Sequence, residues 1–139
     1  MQKIVVDTNV LVSSIIQRSY PYRIIYELFV DDKFLLCVSD ELIAEYYEVL
    51  SRPKFARFPD FYGRAEILLA DIESKARKFL PEKKFDLISD KDDNMILELA
   101  DACKANFIIT GNTNDFTFSE FNQTSIVSPK TYWEKFAPE

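Results

Sequence analysis

A chain of 139 residues, 47% hydrophobic and 29% charged, has room for one domain with a real core and too little for two. It has no histidine, two cysteines without zinc-ligand spacing and two glycines, which excludes imidazole catalysis, zinc sites and glycine-rich phosphate loops. The net charge of -6 speaks against a nucleic-acid partner until its distribution is read: Arg52 to Lys84 holds nine Lys/Arg against five Asp/Glu, so the excess acid lies elsewhere.

Lys3 to Val6 reads as a strand buried on both faces, closed by Asp7, Thr8 and Asn9. A carboxylate at the end of such a strand is costly unless partnered, and that edge is where open α/β sheets bind ligands. The competing reading makes Asp7 a cap for the next helix, and this stretch alone does not choose. Val10 to Gln17 begins a helix and Pro21 another, to about Val30. Phe34 to Val38 is a second strand. Ser39 caps a helix that runs to about Ser51 and stops before Pro53. Phe55, Phe58, Phe61 and Tyr62 then alternate with Arg52, Lys54 and Arg57. A helix opening near Asp60 continues to Phe79, where Pro81 stops it. Phe85 to Ile88 is a short strand, Asp90 to Ala105 a helix, and Phe107 to Thr110 a strand followed by the polar loop Gly111 to Asp115. Ile126-Val127 is the last strand, and Pro129 opens a terminal helix.

Alternating strands and helices imply a parallel sheet with helices on both faces, within a single domain over residues 1–139. Right-handed crossovers then bring the strand C-terminal ends to one edge, so Asp7 and the loop after Thr110 meet there. Glu45 borders the apolar stripe of its helix, while Glu41 and Glu48 face solvent. Asp90, Asp92 and Asp93 start a helix; one suffices as a cap, and spacing does not choose between Asp92 and Asp93. Carboxylates gathered on one edge repel unless a cation sits among them, and all-oxygen ligands suit Mg²⁺ or Mn²⁺. Metal-assisted phosphodiester cleavage is the chemistry that follows.

The order of these blocks resembles the PIN-domain ribonucleases, in the branch described as toxin components of toxin–antitoxin pairs. The resemblance rests on Val5-Val6-Asp7-Thr8-Asn9-Val10-Leu11, on Ser39-Asp40-Glu41-Leu42 with Glu45 and Val49 to Phe55, on Asp90-Lys91-Asp92-Asp93-Asn94 with Leu97 to Ala100, on Ile109-Thr110-Gly111-Asn112 with Asp115-Phe116, and on Val127-Ser128-Pro129. It implies a three-layer α/β/α sandwich around a parallel sheet of about five strands. It also implies a Mg²⁺- or Mn²⁺-dependent endoribonuclease whose metal ligands are Asp7, Glu45, Asp93 and Asp115, supported by Thr8, Asn9, Asp90, Asp92, Thr110 and Asn112. The resemblance, not the spacing, selects Asp93 over Asp92. Many members carry Asp where Asn112 stands, which leaves Asp115 to supply that carboxylate. RNA would approach along the basic segment, with Arg52, Lys54, Arg57 and Arg64 on phosphates.

An antitoxin protein and a second copy of the chain are the partners expected. No apolar run is long enough for a bilayer and no leader is visible, so a cytoplasmic location without membrane association is expected. Two other classes compete: an aspartyl-phosphate phosphotransfer protein or phosphatase with Asp7 as nucleophile, which in the phosphatase case wants Asp where Asn9 stands, and a non-catalytic PIN scaffold binding RNA or protein.

Overall fold

The computed structural model describes residues 1–139 apart from Ser89, Asn114, Asp115, Thr117 and Phe118. Strand β1 (Lys3–Val6) is the most buried element, with Ile4, Val5 and Val6 wholly out of solvent. That explains its unbroken β-branched run, since a central parallel strand is covered on both faces. Helix α1 (Thr8–Ile16) follows at once. Helix α2 (Tyr20–Arg23) continues into a π-helical stretch (Ile24–Phe29), where one regular helix was expected. Strand β2 (Leu35–Val38) leads to α3 (Asp40–Leu50), which Ser39 caps by accepting from the Leu42 N–H at 3.1 Å, as expected from sequence. A 3₁₀ turn (Pro53–Arg57) leads to α4 (Phe61–Lys75). Strand β3 (Arg77–Lys78), α5 (Lys91–Cys103), β4 (Phe107–Ile109), β5 (Glu120–Phe121), β6 (Thr124–Val127) and α6 (Pro129–Thr131), with its π-helical extension Tyr132–Phe136, complete the order.

The strands form one sheet of six in the order β3-β2-β1-β4-β6-β5, with every pairing parallel except β5 with β6. The fold is therefore α/β and PIN-like, with a mostly parallel sheet between helices. Two expectations are corrected, and one strand is added. The helix over residues 60–79 ends at Lys75, because Arg77 and Lys78 pair alongside Cys37 and Val38 and the Phe79 N–H reaches the Val38 carbonyl at 2.8 Å. Sheet pairing outweighs helical propensity there. Residues 85–88 are not a strand: the Phe85 N–H donates to Glu98 Oε2 at 2.9 Å, and those of Leu87 and Ile88 donate to Asn94 Oδ1, each at 3.0 Å. Side chains of α5 thus take the place of a neighbouring strand. Finally, β5 returns antiparallel through Asn122 and Gln123, both with positive φ (49° and 72°), the geometry of a tight two-residue hairpin turn.

Chain order places the site. From β1 the chain moves outward through β2 to β3, then crosses to β4 on the other flank of β1. The C-terminal ends of β1 and β4 therefore bound the point where strand order reverses, the ordinary ligand crevice of such sheets.

Candidate metal centre at the sheet edge

Asp7 sits directly after β1, with extended backbone (φ -68°, ψ 147°) and no side-chain capping bond to the backbone of α1. The capping reading therefore fails. Its Oδ2 instead accepts from Thr110 Oγ1 at 2.7 Å and from Asn9 Nδ2 at 3.2 Å. Thr110 is wholly buried at the end of β4, and Asp7 itself is 8% exposed. Asn9 spans the same gap, its Oδ1 accepting from the Gly111 N–H at 3.1 Å, and the Asn112 N–H donates to Thr110 Oγ1 at 3.1 Å. A Cβ on Gly111 would stand 3.3 Å from Asn9 Oδ1, a tight approach that would displace the amide by a few tenths of an ångström. The four-residue lock of Asp7, Asn9, Thr110 and Gly111 ties the two strand ends together.

Helix α3 brings the second acid. Tyr46, wholly buried, donates its hydroxyl to the Val6 carbonyl at 2.5 Å and anchors α3 against β1. Its neighbour Glu45 accepts from the Thr8 hydroxyl. Burial pushes the Glu45 carboxyl up to about 7; the neighbouring Asp92 and Asp7 push the same way, and the Thr8 bond opposes them.

Helix α5 brings the remaining acids. Asp90 is the cap, accepting from the Asp92 N–H at 2.8 Å. Asp92 is exposed and turned toward Glu45, whereas Asp93 is buried. Asn94, 5% exposed, holds the incoming chain: beyond accepting from Leu87 and Ile88, its Nδ2 donates to the Ile88 carbonyl at 2.5 Å and to the Asp90 carbonyl at 3.2 Å. Sequence reasoning missed Asn94; an amide at the fifth residue of an acidic helix start was the available signal. It also missed the pairing of Glu45 with Asp92, which depends on how two separate helices are rotated against the sheet.

One cleft of about 410 Å³ gathers Asp7, Thr8, Asn9, Glu45, Asp90, Asp92, Asp93 and Asn112, with Arg52 and Lys54 on its wall. Asp115 lies outside the described residues. Of the basic residues read from sequence, Arg57 packs its guanidinium 4.9 Å from the Phe58 ring, and Arg64 lines a different groove. Arg52 is tied to Glu48 at 2.8 Å on the exposed face of α3. The aromatics pack largely on one another, Phe55 against Phe61 at 4.6 Å between centroids, and both are buried.

The donor set is carboxylate, hydroxyl and amide oxygen, which fits a hard divalent cation. Among the described residues no three acids converge as a finished ion cage. A small hard cation does not require one, because Mg²⁺ keeps several waters and takes one or two carboxylates. The crowded Glu45 carboxyl is the local sign that positive charge is wanted there.

With the geometry in hand, the chain belongs to the PIN domain family, whose sequence profile matches residues 3–114. It is 25% identical to the uncharacterized protein MJ1680 of Methanocaldococcus jannaschii over 142 aligned positions, covering 96% of this chain and 91% of that protein. In fold it is similar to a chain in the crystal structure of VapBC2 from Rickettsia felis bound to a DNA fragment from their promoter, with a TM-score of 0.56, 15% identity, and coverage of 91% of this chain and 98% of that one. Among the described residues no helix is long and apolar enough to cross a membrane.

Proposed function

We propose that this protein is a Mg²⁺- or Mn²⁺-dependent endoribonuclease, the toxin of a toxin–antitoxin pair, working as a single domain in the cytoplasm. The observation that carries the proposal is the cleft in which Asp7, locked between β1 and β4, faces Glu45 and the α5 acids at the sheet's switch point. Family membership supports nuclease chemistry, and the likeness to VapBC2 supports an antitoxin partner; a second copy of the chain is a further partner in this reading.

Asp7, Glu45, Asp93 and Asp115 would hold the ion, with Asp92 beside Glu45. Bound there, it would lower the pKa of a water and stabilise charge on the scissile phosphate. The chain's own residues do the rest. Thr110 and Asn9 fix Asp7 Oδ2, Thr8 orients Glu45, and Asn94 fixes the turn from which Asp92 and Asp93 project. Lys54 and Arg52 supply positive charge on the cleft wall, where a polyanion must pass an acidic protein. Incubating labelled single-stranded RNA with the protein in Mg²⁺, Mn²⁺ or EDTA tests this. Internal cleavage in either metal and none in EDTA is expected; intact RNA in every condition, with the protein folded and free of antitoxin, refutes it.

A further inference from the structure

A second concave site lies on the far side of α1. It is a groove of about 230 Å³ lined by Ser14, Arg18, Tyr22, Tyr26, Arg64 and Ile67. Two features bear on what it could hold. The Tyr22 and Tyr26 rings lie 4.7 Å apart, half-buried, with the Arg18 guanidinium 5.4 Å from the Tyr22 centroid. Among the described residues, neither Arg18 nor Arg64 has a carboxylate within ion-pair distance, in a chain whose net charge is -6. Arg64 reaches the Ile15 carbonyl at 3.5 Å, at the C-terminal end of α1 where the helix dipole favours cations.

Helix α1 contributes to both the groove and the acidic cleft. Val12 and Ser13 line the cleft, while Ser14 lines the groove. The whole helix is nine residues, about 14 Å long. Arg18 follows this helix and Arg64 bonds to its last turn, so both guanidinium groups stand beside the element that lines the cleft. Flat π-faces beside guanidinium groups are what single-stranded nucleic acid uses: bases stack and phosphates pair.

We propose that this groove is a second contact site for the RNA strand. Arg18 and Arg64 hold a phosphate, and Tyr22 offers its face to a base beyond the point of cleavage. The proposal rests on the reading of the cleft as a ribonuclease centre and adds to it a dependence on substrate length.

The test uses fluorescein-labelled oligoribonucleotides of about four and about sixteen nucleotides, the range that single-strand binding sites span. Binding is followed by anisotropy over a salt series in EDTA, for wild type, Arg18→Gln/Arg64→Gln and Tyr22→Ala. For the long oligonucleotide, the double variant should lose about 0.7 from the log–log salt slope, the share of one phosphate contact on single strands. Tyr22→Ala should bind it roughly tenfold more weakly. The short oligonucleotide, filling only the cleft, should bind all three proteins alike. Unchanged slopes with the long RNA overturn the inference while leaving the ribonuclease reading intact. A double variant that keeps its slope but falls from dimer to monomer in sedimentation assigns the groove to a second copy of the chain, and overturns it too. Wild type that neither binds nor cleaves RNA removes the ribonuclease reading and this inference together.

Discussion

Two regions flank α5 and are held in opposite ways. At the β1/β4 edge the site residues sit on the ends of buried central strands, and Thr110 and Asn9 lock Asp7 across the gap. The segment over residues 79–88 has no such scaffold. Past the Phe79 N–H bond to β2 it belongs to no strand, and side chains of α5 hold it: Glu98 at Phe85, Asn94 at Leu87 and Ile88. Lys83 and Lys84, both exposed, add ion pairs to the partly exposed Asp101 and the buried Glu98, at 3.8 and 3.6 Å. The contrast teaches that the same acidic cleft has one wall, at Asp7, fixed by the sheet and another, at the start of α5, backed by a segment that Asn94 and Glu98 hold. Substitutions in the first wall should disturb the chemistry and spare the fold; substitutions in the second should disturb both.

The largest effect expected is at Asp7. Asp7→Asn should bring RNA cleavage to the assay floor while circular dichroism and the urea midpoint stay at or above wild type, because a crowded charge has been removed. An unfolded variant would place Asp7 in the structural class. Next is the lock: Thr110→Val should weaken Mn²⁺ binding, measured by calorimetry, by roughly 10–100-fold, the usual cost of losing a partner that orients a ligand. Unchanged affinity would show that the sheet alone orients Asp7.

On the other wall, Asn94→Ala leaves the N–H groups of Leu87 and Ile88 and the Ile88 carbonyl without their partner. Unfolding in urea should show a loss of about 3 kcal/mol, at about 1–3 kcal/mol for each buried group left unsatisfied and without full additivity. Proteolysis should cut first within residues 79–90. A loss below about 0.5 kcal/mol would erase the contrast between the walls. The smallest effect concerns Glu45. Its carboxyl stands at about 7 in the folded chain against an ordinary 4.5, so the folded state holds that proton more tightly. The stability this contributes is fully present below about 4.5 and is lost as pH rises through about 7. Metal-free wild type should weaken across that window, and Glu45→Gln should flatten the decline; parallel pH profiles would show that Glu45 is solvated instead.

Legibility in the sequence follows the same division. The end of β1 could be read because Ile4-Val5-Val6 is a pure buried run broken by Asp7, and the end of β4 because Thr110 closes a similar run. Parallel order then brought the two together without further information. The segment over residues 79–88 could not be read: Phe85 to Ile88 has strand composition, and nothing local shows that Asn94 and Glu98 will take up its N–H groups. Edge strand β3 was hidden because Arg77 and Lys78 carry no strand signal and are exposed. The β5–β6 hairpin was hidden because Asn122-Gln123 lacks the glycine that usually marks such turns. Residues of the basic segment were read as one surface, whereas the structure puts Arg52 and Lys54 on the cleft and Arg64 on the groove behind α1.

Purified wild-type protein and Asp7→Asn, each metal-stripped and incubated with one labelled single-stranded RNA over a Mn²⁺ titration, test the central claim most directly. The account predicts that wild type cleaves internally with a rate that rises and saturates with Mn²⁺, while folded Asp7→Asn stays at the floor at every concentration. Equal cleavage by the two proteins, or cleavage by wild type that Mn²⁺ does not alter, would contradict it.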